Sequence, residues 1–330
     1  MPWKMFWTPI HWRTAAILAV VPLFLAGCRK PLTETRKPPV IRVASTGVEN
    51  PLDRALTETL QKYFPAKIQH VQSGLTGNTR RIEESQTELA IIPANLAYAA
   101  WAQGGGVPPR PYSKLRGIAA LYTIPLLLVA TEASGIRRLD DIRSKRVAVG
   151  PPDSTTQITV KMTLEGVGLS AADIDARPVN RDAAVEELRA GEVDAVFHRG
   201  NDLSGTVSKL LKVPHVNFVP ISRRETAMIR QRHPFLLPIW IPAGLYGNHA
   251  GFETIGIDTL LVCRDDLPED QVYWITRALF ESLAGESLAG HTGSTGASEF
   301  QRVDLSQIRA TPIPLHPGAA RYYRERELFQ

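Results

Sequence analysis

Cysteine is nearly absent from this sequence. Of 330 residues only two are cysteines, Cys28 and Cys263, and most of the chain separates them. A disulfide framework or a cysteine-based metal site needs more cysteines at closer spacing, so both are excluded. Cys263 lies in the apolar run TLLVCR. We therefore predict that it is a small buried side chain of a strand and not a reactive thiol.

Recognisable catalytic motifs are also missing. The sequence contains no GxSxG, HExxH, P-loop or GxGxxG motif, and its eight histidines form no i, i+4 pair on a predicted helix. The nearest phosphate-binding pattern, SGLTGNTR at 73–80, has no lysine that would reach a phosphate. These absences predict a protein that is not an enzyme and that needs neither a cofactor nor a metal ion.

A strong charge of one sign is absent as well. The chain has 38 basic and 33 acidic residues, which is a formal net charge of +5. Lys4 and Arg13 belong to an N-terminal segment without acids, and without that segment the net charge is +3. So weak a bias predicts no binding to nucleic acid. With 44% hydrophobic and 22% charged residues, the composition is that of an ordinary globular protein.

One long apolar run lies near the N-terminus. The twelve residues AAILAVVPLFLA at 15–26 follow a positively charged start. They are too few to span a bilayer, but they have the length of a signal-peptide core. Leu25–Cys28 resembles the lipobox of bacterial lipoproteins, which predicts that residues 1–27 are a signal peptide and that Cys28 is lipidated. An uncleaved anchor, or a leader that is cut at Ala26, is the alternative.

A short polar segment separates this region from the folded part. The sequence RKPLTETRKPPV at 29–40 contains three prolines and five charged residues and has no helical or strand periodicity. At about 3.3 Å per residue, it reaches at most about 40 Å. We predict that residues 28–40 tether an extracytoplasmic domain to a bacterial membrane through the lipid on Cys28.

The folded part alternates strand and helix patterns. Strands are predicted at 41–45, 67–72 and 89–93, with helices at 52–63 and near 79–87 between them. A second alternation has strands at 145–150, 176–179 and 193–197, with a helix after Asp153 and another at 182–190. This β-α-β order predicts a mainly parallel sheet that is covered by helices.

Two long apolar segments connect the two alternating blocks. The run LYTIPLLLVAT at 121–131 leads from the first block to the second, and ETIGIDTLLVCRD at 253–265 leads back. Two blocks joined by crossing strands predict two lobes with a ligand cleft between them. The predicted lobe I comprises 41–125 and 253–330, and the predicted lobe II comprises 126–252.

Polar loops follow the predicted strands. In open α/β sheets, ligands bind beyond the carboxyl ends of the strands and at helix N-termini. The loops at 45–50, 72–79, 93–98 and 151–157 are rich in hydroxyl and amide groups, and His198, Arg199 and Asn201 follow the last strand of the second block. We interpret these positions as candidates for the wall of a ligand pocket.

Each candidate also has a purely structural interpretation. Ser154 and Gln157 match a capping box, which would satisfy the free N–H groups of the helix start within the chain. Residues in 93–98 could lie on an ordinary helix face, and His198 could be hydrogen-bonded within the strand end. Arg199 could form an exposed salt bridge.

Six segments carry the pattern of a known family. The most specific are GPPDSTT in the second block and IPLHPGAARYY near the C-terminus. Found together and in order, the six resemble the TAXI-type extracytoplasmic solute-binding proteins of TRAP transporters. The matching segments are 73–101, 121–156, 184–197, 233–247, 266–281 and 311–325.

The resemblance implies both a fold and a role. The fold is the two-lobed periplasmic-binding-protein fold, type II-like, with a ligand in the cleft. The role is capture of a small organic acid or amino acid, glutamate-like or another carboxylate, for an ion-gradient-driven TRAP permease, whose membrane subunits are the implied partners of an expected monomer. The alternative is a lipid-anchored ligand-sensing or scaffold lipoprotein that is not dedicated to transport.

The family pocket implies ligand contacts from both lobes. The family usually has a glycine-rich run after the first strand, whereas STGVEN at 45–50 has one glycine, and Val48 and Glu49 restrict the backbone there. His198 and Arg199 come from the strand end described above. The other implied ligand-binding residues are Ser45, Thr46, Gly47, Gly74, Asn78, Asn95, Tyr98, Tyr122, Ser154, Thr155 and Thr156.

Overall fold

A ten-stranded sheet organises the part of the chain that the computed structural model describes. The described residues are 40–45, 51–64, 66–104, 110–200, 205–246, 250–283 and 311–326. All of them belong to one compact unit, Pro38–Gln330. The predicted signal peptide, Cys28 and all of the predicted tether except Val40 lie outside the described residues.

Strands and helices alternate along the chain. The strands are β1 Val40–Ser45, β2 Lys67–Gln72, β3 Leu89–Pro93, β4 Leu115–Thr131, β5 Arg146–Ala148, β6 Asp175–Arg177, β7 Ala195–Arg199, β8 Val216–Val219, β9 Leu236–Ile241 and β10 Phe252–Arg264. The helices are α1 Pro51–Tyr63, α2 Leu75–Glu83, α3 Ala94–Ala102, α4 Thr155–Gly166, α5 Arg181–Ala190, α6 Thr206–Leu211, α7 Arg223–Arg232, α8 Glu269–Leu283 and α9 Pro317–Glu325.

Two long strands hold the sheet together. The strand order is β2-β1-β3-β10-β4-β7-β5-β6, with β9 paired to β10 and β8 paired to β4. β1, β2 and β3 are mutually parallel, as are β5, β6 and β7. Between these two groups, β4 and β10 run antiparallel to each other along most of their length. In the described sheet, the two parallel groups are therefore joined through the pair β4 and β10. The prediction of a mainly parallel sheet is wrong, because the long strands β4 and β10 pair antiparallel with all of their neighbouring strands.

The predicted elements largely coincide with the observed ones. The predicted strands at 67–72 and 89–93 match β2 and β3. The helix that was predicted near 79–87 is instead α2, Leu75–Glu83, because Gly74 starts the helix directly after β2 and Ser85 ends it at φ 57°. The sequence pattern predicts no strand at β8 or at β9.

Apolar side chains from the sheet and the covering helices form the core. Cys263 is fully buried in β10, and burial raises the pKa of its thiol, as expected for a packing residue. In α1, Leu56 and Leu60 are buried at helical spacing. The prediction of a small buried cysteine in a strand is confirmed.

Helix α9 provides a hydrogen bond to a bulge in β4. Leu261 and Val262 of β10 pair with Ala119 and Gly117, which leaves Ile118 without a partner in β10. The Tyr323 hydroxyl of α9 donates to the Ile118 carbonyl at 2.6 Å, and both side chains are buried. The bulge therefore has its carbonyl hydrogen-bonded by the C-terminal helix.

Tyr323→Phe is expected to lower the free energy of unfolding by about 1–2 kcal/mol, because the Ile118 carbonyl loses its buried donor. Urea denaturation of the full chain measures this difference. Tyr322→Phe is the matched control, because its ring is also buried but its hydroxyl interacts with the exposed Arg326. Equal losses in the two variants would contradict a specific role for the Tyr323 hydroxyl.

Candidate ligand-binding site

A tight turn positions the start of helix α4. Gly150, at φ 86°, follows β5, and after two prolines comes Asp153, at φ 57°. The Ser154 N–H donates to the Pro151 carbonyl at 3.2 Å. A Cβ at Gly150 would lie only 2.9 Å from the Thr156 Cβ, so glycine allows the turn to approach the helix closely. The turn thus brings the first residues of α4 to the end of β5.

The predicted capping box is only half formed. The Ser154 hydroxyl accepts from the Gln157 N–H at 3.2 Å, as predicted. The Gln157 Oε1, however, accepts from the Asp153 N–H at 2.9 Å and not from that of Ser154. The Ser154 N–H already donates to the Pro151 carbonyl in the turn, so the Gln157 side chain accepts from the N–H group one residue earlier, that of Asp153. The helix start is capped, but by a different pair of bonds.

Two threonines remain available at this helix start. Thr155 and Thr156 occupy its first two positions, where backbone N–H groups have no carbonyl partner within the helix. Neither threonine hydroxyl donates or accepts a hydrogen bond within the described part of the chain. Both side chains are half-buried. Two hydroxyls and two N–H groups are therefore free to bind a ligand.

These groups face a cavity of about 470 Å³. Its lining includes Ser154, Thr155 and Thr156 of the α4 start, His198 of β7, and the start of α5. The cavity therefore joins four of the predicted ligand-binding residues. Its volume suits a small organic molecule.

The start of α5 adds a positive charge. Its N-cap Asn180 accepts from the Ala183 N–H at 2.9 Å, and Arg181 follows as the first helical residue. Asp182 is paired with Lys209 at 2.7 Å. Arg181 forms no ion pair among the described residues, although, after the bond to Lys209, its charge also helps to lower the pKa of the neighbouring Asp182 carboxyl group. The cavity therefore combines two helix N-termini with an arginine, an environment that favours an anion.

Arg199, the last residue of β7, is buried and has no acidic partner among the described residues. It is 8% exposed, and its Nε and Nη2 atoms have no hydrogen-bond partner in the described part of the chain. Burial lowers its pKa to about 10, and the nearby positive charge of Arg181 acts in the same direction, whereas Tyr122 opposes it. The alternative of an exposed salt bridge is wrong, because Arg199 is neither exposed nor paired with a described acid.

Other buried polar atoms lie at the end of β3. Thr259 of β10 is aligned with Pro93 of β3 and with Tyr122 of β4. Asn95 follows Pro93 by two residues in α3 and is 1% exposed. Among the described residues, neither its amide atoms nor the Thr259 hydroxyl has a hydrogen-bond partner. Unbonded buried polar groups are rare and costly. We call these three residues, Asn95, Arg199 and Thr259, together with Tyr122 of β4, the buried polar cluster.

Comparison with known proteins identifies the family. Residues 49–326 match the NMT1-like family. The chain belongs to this family. Among solved structures, it resembles a putative periplasmic sulfonate-binding protein, SsuA, of a sulfonate ABC transporter from Methylobacillus flagellatus KT. The identity is 12%, the TM-score is 0.53, and the match covers 88% of this chain and 96% of that one.

A second solved structure agrees with the first. PhnD1 from Prochlorococcus marinus, in complex with methylphosphonate, matches with 12% identity and a TM-score of 0.51, covering 88% of this chain and 97% of that chain. At these identities the likeness is one of fold. The NMT1-like chain has the fold of the two-lobed periplasmic binding proteins, and the predicted α/β fold class is confirmed. None of the described helices combines the length and apolarity needed to cross a bilayer.

Three further predicted residues of this NMT1-like protein have internal contacts. The Ser45 hydroxyl is fully buried and lies 3.4 Å from Nδ1 of His70. The Asn78 Nδ2 donates to the Ile91 carbonyl at 3.0 Å, and its Oδ1 accepts from the Ser73 hydroxyl. Tyr98 packs its ring against Trp101 and Phe235, with centroids 6.2 and 5.6 Å away. These contacts give all three residues a role in the fold.

The remaining predicted residues contribute less to the described site. Gly74 is the exposed N-cap of α2, and its carbonyl accepts from the Asn78 N–H at 3.0 Å. Thr46 and Gly47 lie outside the described residues, as do Val48 and Glu49 of the altered loop. The site as described therefore rests on the α4 start, the α5 start and the buried polar cluster.

Sequence reasoning missed three residues of the site. Thr259 stands alone as a hydroxyl in the apolar run TLLVC, and that isolation was the available signal. Asn180 and Arg181 begin the sequence NRDAAVEEL, a recognisable N-cap followed by a helix. Their approach to the α4 start depends on the pairing of β5 with β6 and β7, which local sequence does not reveal.

Proposed function

We propose that this chain is the extracytoplasmic solute-binding subunit of a TAXI-type TRAP transporter. Membership of the NMT1-like family and the periplasmic-binding-protein fold support a solute-binding role, and the family segments in the sequence favour the TAXI type. The proposed protein is held at the membrane by a lipid on Cys28. It delivers its solute to the permease subunits as a monomer.

The proposed ligand is a small carboxylate or amino acid. The observation that carries this proposal is Arg199, a buried guanidinium without an acidic partner among the described residues. A buried charge is stabilised chiefly by an opposite charge that hydrogen-bonds to it. A ligand carboxylate would supply that charge, and the fork of the guanidinium suits its two oxygens. Asn95 and Thr259 would then bind the remaining polar groups of the ligand.

The α4 start provides a second set of contacts for the same ligand. Arg181, which lines the cavity, lies close enough to Arg199 for its charge to add to the effect of burial in lowering the pKa of Arg199, so Arg199 lies near the cavity. A ligand that contacts Arg199 could also accept hydrogen bonds from Thr155 and Thr156. The two structural relatives named above are described with sulfonate and methylphosphonate, which are also anions.

Ligand capture would work by closure of two lobes. We place lobe I at 41–125 and 253–330 and lobe II at 126–252, with β4 and β10 crossing between them. Asn95 and Thr259 belong to lobe I in this division, and Arg199 and Thr155 belong to lobe II. A ligand that contacts both sets would stabilise the closed state, which a permease could then recognise.

Native mass spectrometry of the gently purified full chain tests this function. A co-purified small anion, followed by calorimetry with the identified compound, would support solute binding. Uptake of that compound by cells, lost when the chain is deleted, would support transport. Binding without any loss of uptake would favour the ligand-sensing lipoprotein instead. No binding to any amino acid or carboxylate in a broad panel would contradict the proposal.

Thr155→Val combined with Thr156→Val is expected to weaken ligand binding about 10- to 100-fold, because two hydroxyl contacts to a charged ligand are lost. Calorimetry with the identified ligand measures the change. Thr163→Val is the matched control, since its hydroxyl donates to the Thr159 carbonyl within the same helix at 2.8 Å. Unchanged affinity in the double variant would remove the α4 start from the site.

A further inference from the structure

A second cavity, which shares no lining residue with the first, lies between helix α7 and strand β9. It has a volume of about 430 Å³ and opens at the surface. Ala227 and Arg230 of α7 form one wall, and Ile239 and Trp240 of β9 form the other. Thr254 of β10 also lines it. We call this cavity the α7–β9 groove.

An exposed tryptophan marks the edge of the groove. Trp240 is 58% exposed, although its indole is one of the largest apolar side chains in the protein. A Cβ at Gly251 would lie 2.3 Å from Cζ2 of Trp240, so the ring lies directly against the Gly251 backbone. Its position is therefore set by the fold. An exposed aromatic side chain beside an apolar groove is typical of a protein-binding surface.

The charges around the groove are positive. Glu253, the one acid that lines it among the described residues, accepts from the backbone N–H of Arg223 at 3.0 Å and also from its side chain. Arg230 has no acidic partner in the described part of the chain. The same holds for Arg224, which is exposed near the start of α7. The groove thus combines an apolar lining with one arginine, Arg230, that has no acidic partner among the described residues.

We propose that the α7–β9 groove docks an acidic segment of a partner protein. In this complex a carboxylate of the partner pairs with Arg230, and an apolar side chain of the partner covers Trp240. A concave cavity fits a polypeptide segment better than the flat surface of a bilayer. Pro238 lies within β9 and cannot donate to an added strand, so side chains make the contact.

The groove is also close to the proposed ligand site along the sheet. The Thr254 hydroxyl, in the groove, donates to the Leu126 carbonyl, and Leu126 is the strand neighbour of Arg199. Thr259 of the buried polar cluster lies on the same strand as Thr254. A partner in the groove would therefore contact the strand that carries part of the ligand site. The docking proposal itself does not depend on which ligand is bound.

Photo-cross-linking in the source cells tests the proposal. The full chain carries p-benzoylphenylalanine in place of Trp240 and, in a matched control, in place of Trp274, which is 50% exposed on α8. We expect a light-dependent cross-link from position 240, but not from 274, to one protein, mapped by mass spectrometry to a segment that contains at least two acidic residues.

Charge reversal at Arg230 is the second test of the proposal. Arg230→Glu should reduce the cross-link about tenfold or more, because an attractive charge pair becomes repulsive. A synthetic peptide that copies the mapped segment should bind the parent chain, and exchanging its acidic residue for arginine should restore binding to Arg230→Glu. Gly251→Ala, which displaces Trp240 without removing it, should weaken peptide binding as well.

Several results would overturn the proposal. One is a cross-link from position 240 to lipid, to a second copy of this chain or to a segment without acidic residues. Another is the absence of any cross-link from position 240. A third is a cross-link that Arg230→Glu leaves unchanged. Circular dichroism of each variant, compared with the parent, identifies any loss of folding. Arg224→Glu is the control for Arg230→Glu, because it reverses a charge on the same helix at a residue that does not line the groove.

Discussion

Arg199→Met is expected to weaken ligand binding about 30-fold or more. Truncating one partner of a buried, hydrogen-bonded charge pair costs about 2–5 kcal/mol, and about 1.4 kcal/mol corresponds to tenfold in affinity. Arg199 has no other acidic partner among the described residues, so the ligand carboxylate would lose its main counter-charge. Calorimetry with the identified ligand measures the loss.

The same substitution is expected to stabilise the unliganded protein. Burial lowers the pKa of Arg199 to about 10, which corresponds to a cost of about 3 kcal/mol for holding its charge in the folded state at neutral pH. Methionine fills similar space without a charge, so the free energy of unfolding should rise by up to about 3 kcal/mol.

The pH dependence of this gain follows from the direction of the pKa shift. Between pH 10 and the ordinary pKa of arginine, the unfolded chain binds more protons than the folded chain. The stability contributed by this site in the parent therefore rises with pH in that window. The advantage of Arg199→Met should be full below pH 10 and should shrink above it. Denaturation of both proteins at pH 7 and above pH 10 measures the difference.

Two controls separate a binding role from a structural one. Arg199→Lys keeps a charge but loses the planar fork, so binding should fall between the parent and Arg199→Met. Arg146 pairs with Asp194 at 2.7 Å, so Arg146→Met should reduce stability and leave ligand affinity unchanged. If Arg199→Met instead destabilises the protein and binds ligand normally, Arg199 is a structural residue.

Asn95→Leu should weaken ligand binding about 10- to 100-fold. Both amide atoms of Asn95 are buried without a hydrogen-bond partner among the described residues, and each bond that they form with a ligand is lost in leucine. The unliganded protein should be as stable as the parent or slightly more stable, because a buried group without partners is removed. Calorimetry and urea denaturation test the two halves of this prediction.

Asn78→Leu is the matched control for this substitution. Asn78 is also fully buried, but its amide bonds to Ser73 and to the Ile91 carbonyl. Its loss should lower the free energy of unfolding by about 1–3 kcal/mol. Similar destabilisation by Asn95→Leu and Asn78→Leu would show that both asparagines serve the fold. Opposite effects would separate the ligand site from its framework.

Local sequence predicted much of the site on the α4 side. A strand followed by Gly150, two prolines and a Ser-x-x-Gln pattern predicts a turn and a capped helix start, and the structure has both. The detail of the cap differed, because the Pro151 carbonyl already accepts from the Ser154 N–H. Such features were predictable because they depend on residues within a few positions of one another.

The buried polar cluster could not be predicted in the same way. Arg199 was assigned to the site from its place at a strand end, with an exposed salt bridge as an equal alternative. Only the pairing of β7 with β4 and of β4 with β10 shows that Arg199 is buried and that Thr259 is aligned with Tyr122. The α7–β9 groove depends equally on the pairing of β9 with β10.

The sequence by itself determined most of the alternation of strands and helices, the capped start of α4 and the family pattern. Each of these follows from the conformational preferences of neighbouring residues or from motifs in linear order. Only the tertiary structure decided which polar groups have partners within the fold. Burial and hydrogen bonding depend on segments far apart in the chain. Asn78 and Asn95 are the same residue type in similar polar loops of the sequence. Yet Asn78 is hydrogen-bonded within the fold, whereas Asn95 has no hydrogen-bond partner among the described residues.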